Sequence, residues 1–169
     1  SIFQVVNKEF NIDLSKAEYF AGHSLGEYSA LSCAGYLNFS ETIKILRIRG
    51  EAMQNSVPEG EGGMLAVLGS KINIIEEIIK TNDKKYKVQI ANDNSEGQLV
   101  VSAKKKDLEL FKENLSLANI KNIDLPVSAP FHSSLMSNAT SKMKDGIEKL
   151  NLVHSNNKLI SNVTAKDVD

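Results

Sequence analysis

The chain has one cysteine, Cys33, and three prolines in 169 residues. A single cysteine excludes an internal disulfide and any all-cysteine metal cage, and it fits a reducing compartment. No run approaches the roughly 18 consecutive apolar residues of a membrane span. The opening Ser1-Ile2-Phe3-Gln4 lacks the basic start and apolar block of a secretory leader. A cytoplasmic protein that does not engage membranes is therefore expected. Excess charge is missing too: 20 Lys plus Arg against 21 Asp plus Glu leave a net charge of -1, and the pI is about 6.3. That balance argues against a general nucleic-acid binder and makes any anion site local. Arginine is scarce, confined to Arg47 and Arg49 in a chain that otherwise uses lysine.

What is present is the composition of a folded domain: 41% hydrophobic and 24% charged residues, in a chain long enough to bury its own core. The chain does not begin with Met and runs directly into Ile2, Phe3, Val5, Val6 and Phe10, a helical pattern already under way. It is expected to be a fragment of a longer protein.

Residues 1 to 55 read as helix, strand, turn, helix, helix. Tyr19-Phe20-Ala21 is the short apolar run, Glu27 to Ala34 is helical up to Gly35, and Ser40 with Glu41 is read as the start of the next helix. Pro58 to Gly63 reads as a hinge. Strand-like Met64 to Leu68, helical Ile72 to Ile79, strands at Tyr86 to Ala91 and Leu99 to Ala103, helical Lys105 to Ala118 and a strand at Ile120 to Val127 follow. That order is βαββαβ, a ferredoxin-like arrangement, with Ser95-Glu96-Gly97 at its central hairpin. Helix from Ser133 to Leu150 and an apolar run at Lys158 to Ile160 close the chain. The expected fold is α/β: a core with a parallel sheet (1 to 60 and 128 to 169) interrupted by a ferredoxin-like α+β subdomain (61 to 127).

Gly22-His23-Ser24-Leu25-Gly26 fits G-x-S-x-G. At Gly and Ser frequencies of about 7% a chance match in a chain this long is roughly a 5% event. Its setting between a strand and a helix adds weight, because there the glycines permit a cramped nucleophile elbow that lifts the hydroxyl clear of the sheet. A serine hydroxyl needs a base for its proton, and the oxyanion it creates needs N–H donors such as that of Leu25 at the helix start. A Gly-rich turn with a capping serine is the plain alternative.

Three histidines could serve as base. His23 adjoins Ser24, and neighbours on such a turn point apart, so it belongs beside the site. His154 lies in the polar stretch Asn151 to Asn157 and reads as solvated. His132 follows Val127-Ser128-Ala129-Pro130-Phe131 where the insertion rejoins the core, a favourable place for a catalytic side chain; a local role at the helix start is its alternative. Arg49 has the planar fork that binds a carboxylate bidentately, but from the residues alone it reads first as a solvated helix-face arginine.

Gly22-His23-Ser24-Leu25-Gly26-Glu27-Tyr28-Ser29-Ala30, then Arg49-Gly50, the stretch Asn92 to Gln98, and Pro130-Phe131-His132 together resemble the malonyl-CoA:acyl carrier protein transacylases. These enzymes of bacterial fatty acid synthesis have relatives among the acyltransferase domains of polyketide synthases. The likeness runs through nearly the whole chain in the family's order. It implies that Ser24 accepts malonate from coenzyme A as an ester, that His132 moves the proton, and that the phosphopantetheine thiol of acyl carrier protein takes the malonyl group. Arg49 then pairs with the malonyl carboxylate, and Phe131 favours malonyl over branched units. His23, Asn92, Asn94 and Gln98 line the substrate. No metal or cofactor beyond the malonyl-CoA substrate is implied, and a monomer is expected.

Glu96 departs from the proline common in the Asn-Ser-Pro-Gly-Gln stretch of relatives. The family's Gly-Gln-Gly turn, source of a second oxyanion donor, and its late loop that orients the histidine have no counterpart here. Two rivals remain at this stage. An esterase of the α/β-hydrolase class would want an acid between serine and histidine, and Asp124 stands in order but close to His132, without an H-G-G-G stretch. The other rival is a noncatalytic module that docks a carrier protein.

Overall fold

Short apolar runs at 64–68 and 99–101, and helices that follow them with apolar residues three and four apart, call for a sheet packed against helices. The computed structural model, which describes residues 2–168 with the backbone alone at Ser15, has that arrangement. The chain folds as two compact units, one made of the residues up to Ile48 and those from Lys144 onward, the other of Arg49–Met143.

The first unit contains α1 (Ile2–Glu9), β1 (Tyr19–Ala21), α2 (Gly26–Cys33), the start of α3 (Phe39–Gln54), and the late strands. Its sheet has the order β1-β6-β7, with β6 at Lys158–Ile160 and β7 at Asp167–Val168. β1 and β6 run parallel, pairing Tyr19 with Lys158 and Ala21 with Ile160, while β7 is antiparallel to β6. Phe20, Ala30, Ala34 and Leu159 are its buried centre, and Phe3, Leu31 and Tyr36 pack around them.

The second unit contains β2 (Gly62–Leu68), α4 (Ile72–Thr81), β3 (Val88–Ser95), β4 (Gln98–Lys104), α5 (Lys105–Leu117) and β5 (Lys121–Asp124). Its four strands are ordered β3-β4-β2-β5, and all neighbours are antiparallel. This is the expected βαββαβ unit with its two halves interleaved. Leu65, Val67, Leu99, Val101 and Ala103 turn one face of the sheet toward Ile75 of α4 and toward Leu108, Phe111 and Leu115 of α5. The spacing of that α5 trio puts all three on one stripe. Phe111 is fully buried and meets the Tyr86 ring edge-on at 5.7 Å. α6 (Ser137–Ile147) follows, preceded by a short 3-10 turn at Ser134–Met136.

Several boundaries differ from expectation for physical reasons. α3 is capped by Asn38, not Ser40: Asn38 Oδ1 accepts the Glu41 N–H at 2.9 Å and its amide donates back to Glu41 Oε2. Asn38 is thus the N-cap, braced side chain to side chain by Glu41, and Ser40 lies within the first turn. Gly62 and Gly63 are strand residues, not part of a hinge. A Cβ on Gly62 would lie 2.2 Å from Pro130 Cδ, so its glycine serves close packing. The β3–β4 hairpin closes on Glu96 and Gly97 between the paired Ser95 and Gln98, and Gly97 alone of the two takes a positive φ, +77°. β5 stops at Asp124, two residues before Pro126, which has no N–H to give a ladder. The helix expected over 133 to 150 is shortened to α6 and the turn before it.

Replacing Phe111 with Ala in the full-length protein is expected to cost about 3–5 kcal/mol, because its whole ring leaves a cavity among α5, β2 and β4. Urea unfolding followed by tryptophan-independent circular dichroism checks this, with Phe111→Leu expected to lose much less.

Candidate active site

The turn between β1 and α2 is dictated by a close approach. A Cβ on Gly22 would lie 2.0 Å from the carbonyl carbon and oxygen of Gly26 and 2.6 Å from the Glu27 nitrogen, so the chain can fold back on itself only where no side chain intervenes. Gly26, the second glycine of the motif, meets nothing within 4 Å and is not required by packing among the described residues. Ser24 sits at the crest with φ +54°. Such a left-handed non-glycine residue costs about 1–3 kcal/mol and persists only where its surroundings over-determine it.

Those surroundings are hydrogen bonds. Gly26 N–H donates to His23 O at 2.9 Å, Glu27 N–H to Ser24 O at 3.2 Å, and Tyr28 N–H to Leu25 O at 3.2 Å. The Ser24 N–H donates to Asn162 Oδ1 at 3.0 Å, and the Asn162 N–H donates to Glu27 Oε1 at 2.9 Å. The Leu25 N–H has no acceptor among the described residues and stands at the N-terminus of α2. Ser24 is half-buried and His23 and Leu25 are exposed. A hydroxyl raised on such a crest, one residue before an uncommitted N–H at a helix start, has what acyl chemistry asks of a nucleophile and an oxyanion donor.

Arg49, Asn92, Asn94, Gln98, Phe131 and His132 lie in the second unit, and Arg47 and His154 in the first. His132 is exposed and also left-handed, with φ +56°. Its loop is strapped to the sheet: the fully buried Ser102 of β4 donates its hydroxyl to Phe131 O, Gln89 of β3 accepts the Ser134 N–H at 2.6 Å, and Ser133 Oγ donates to Pro130 O at 2.7 Å. Phe131 is half-buried beside it. Asn92, Asn94 and Gln98 gather along the β3–β4 hairpin, where β3 is irregular around Asn92 and again before Ser95. Asn92 is half-buried, and the other two are exposed. Arg49 is half-buried on α3 and Arg47 exposed on the same helix. His154 is exposed, as its polar neighbours suggested. Burial pushes the Cys33 thiol above its ordinary range, which keeps it protonated at neutral pH and unsuited to nucleophilic work. Among the described residues no three His, Cys, Asp or Glu side chains gather to hold a metal ion. No helix among them is long and apolar enough to cross a membrane.

Sequence reasoning missed Asn162, Ser102 and Gln89. A signal existed for Asn162 alone: it stands two residues past the apolar run Lys158 to Ile160, and pairing that run in parallel with Tyr19 to Ala21 brings it to the serine turn.

A serine on a glycine-bounded strand-to-helix turn of an α/β chain is an arrangement that proteins of acyl chemistry use. The chain matches the acyl transferase domain over residues 15–168 and is a member of that family. The malonyl CoA-acyl carrier protein transacylase of Bacillus subtilis (strain 168) is 41% identical over 150 residues, covering 88% of this chain and 47% of that protein. The solved acyl-carrier-protein-S-malonyltransferase from Bartonella henselae superposes with a TM-score of 0.89 at 41% identity, over 96% of this chain and 52% of that one. A malonyl-transacylase solved in complex with a type II PKS acyl-carrier protein superposes with a TM-score of 0.90 at 33% identity, over 99% of this chain and 53% of its own. The chain thus spans about half the length of the curated relatives it matches.

The Ser102 hydroxyl yields one prediction. Ser102→Ala leaves the Phe131 carbonyl without its buried donor and is expected to lower stability by about 1–3 kcal/mol. Urea unfolding of the full-length protein, compared with the exposed control Ser116→Ala, checks it.

Proposed function

We propose that this chain carries the reacting half of a malonyltransferase of fatty acid biosynthesis, which moves a malonyl group from malonyl-CoA to the phosphopantetheine thiol of acyl carrier protein. The observation that carries the reading is the strained Ser24 turn at the head of α2 with its uncommitted Leu25 N–H. The family membership and the malonyl-transacylase names of the similar proteins support the choice of acyl group. The complex solved for one of them with an acyl-carrier protein supports the acceptor.

In this reading Ser24 Oγ attacks the thioester carbonyl while the His132 imidazole takes its proton, and the Leu25 N–H holds the oxyanion. The carbon–sulfur bond breaks, the coenzyme A thiolate leaves with the proton from His132, and malonate remains as a serine ester. The carrier thiol then gives its proton to His132, attacks the ester, and Ser24 leaves with that proton. Arg49 pairs with the distal carboxylate, Phe131 limits the size of the acyl group, and His23, Asn92, Asn94 and Gln98 line the thioester arm. No cofactor takes part beyond the thioester itself. The core is hydrolase-like, with Ser24 on a nucleophile elbow, in segments 1–60 and 128–169 around the ferredoxin-like segment 61–127, and the protein works as a cytoplasmic monomer.

Intact mass of the full-length protein after mixing with malonyl-CoA tests the reading: one malonyl adduct is expected on wild type and none on Ser24→Ala. An undiminished adduct on the alanine variant overturns the assignment, and release of neutral esters by hydrolysis without any malonyl transfer favours an esterase. Arg49 tests specificity separately. Losing a charge-assisted bidentate contact is expected to cost malonyl transfer about 2–4 kcal/mol while sparing acetyl transfer. The kcat/KM values for malonyl-CoA and acetyl-CoA with Arg49→Ala decide it, equal losses meaning that Arg49 is structural.

A further inference from the structure

We propose that Asn162 is a positioning residue that latches the serine turn in its reactive shape; the inference rests on Ser24 being the nucleophile. Its place follows from the sheet. β1 and β6 run parallel with Ala21 opposite Ile160, so both strands release their chains at the same end of the sheet. In parallel sheets that end is where working side chains collect. Ser24 lies three residues beyond β1 and Asn162 two beyond β6.

The hydrogen bonds explain what Asn162 does there. A left-handed Ser24 has its N–H outside the pattern of α2, and an N–H without an acceptor is costly. Asn162 Oδ1 supplies that acceptor at 3.0 Å, while the Asn162 N–H reaches Glu27 Oε1 at 2.9 Å in the first turn of the helix. One residue thereby clasps the turn on both sides of the crest. Asn162 is itself presented by a built loop: Ser161 Oγ accepts the Val163 and Thr164 N–H groups, at 3.2 and 3.4 Å, and the Ser161 N–H donates to Lys166 O at 2.8 Å. The residue type also fits. An amide oxygen accepts the bond without adding a second negative charge beside Glu27 and next to the place where an acyl oxygen becomes anionic.

The test uses the full-length protein and two kinds of readout. With Asn162→Ala, single-turnover acylation by malonyl-CoA is expected to slow by about 10 to 100-fold, with half-saturation shifted less than about twofold, since the turn and not the substrate contact is disturbed. Labelling of Ser24 by a fluorophosphonate, which needs only an activated serine, is expected to slow in parallel. Amide exchange is expected to rise over residues 22–27 and to stay unchanged over 19–21. Asn162→Asp keeps the oxygen acceptor and is expected to retain the protection of 22–27. Should the alanine variant not fold, Asn162→Ser, whose hydroxyl is too short to reach the Ser24 N–H, gives the same comparison. Acylation at the wild-type rate in the alanine or serine variant overturns the proposal, as does loss of protection in Asn162→Asp equal to that in Asn162→Ala. Slowed fluorophosphonate labelling in a protein whose wild type forms no malonyl ester leaves the latch standing and removes the malonyl reading.

Discussion

The backbone of Ser24 cannot relax to an ordinary conformation without opening the turn on which it stands. Everything near it is arranged around that constraint. Gly22 supplies the space, because the carbonyl of Gly26 occupies the place of any side chain there. The short β1 strand and α2 supply fixed ends, packed together through Phe20, Ala30 and Ala34. The hydrogen bonds of Asn162 and Glu27 close the remaining freedom. Strain of this kind is held only by such over-determination.

The second unit handles the same problem with different means. His132 is left-handed as well, at φ +56° against +54° for Ser24. Its loop is held by a sheet face through a buried serine hydroxyl and a glutamine, while Pro130 stacks into the space that Gly62 leaves open. One unit thus fixes its special residue from a neighbouring strand end, and the other fixes its own from the flat of a sheet. The ferredoxin-like strands do more than connect: β3 and β4 bear the hairpin of Asn92, Asn94 and Gln98 and anchor the Phe131–His132 loop.

The βαββαβ order was legible because the strands are short apolar runs too brief for helices, and α4 and α5 carry stripes of apolar residues that no strand would need. The serine turn was legible because glycine is the only residue its geometry admits at position 22. Asn38 was also readable, since Asn-x-x-Glu has the spacing of a capping box, but the serine nearest the glutamate drew the reading instead. Asn162 and Ser102 were not readable from type alone. Each acts on a residue far along the chain, 138 positions away for Asn162 and 29 for Ser102, and only the pairing of two distant strands, never a local pattern, points to the first. The roles proposed for Arg49 and Phe131 are of the same kind: a helix-face arginine and a loop phenylalanine look alike whether or not a ligand meets them.

The packing of Pro130 against Gly62 bears on how such a protein can be taken apart and recombined. A ferredoxin-like cassette cut at the ends of its own strands would carry Gly62, with its missing side chain, and leave behind the proline ring that fills the gap. It would also carry Ser102 with a hydroxyl that has lost its carbonyl. Chimeras between relatives therefore have a natural seam after Ser134 rather than after β5, because strands and loop are inherited as one piece.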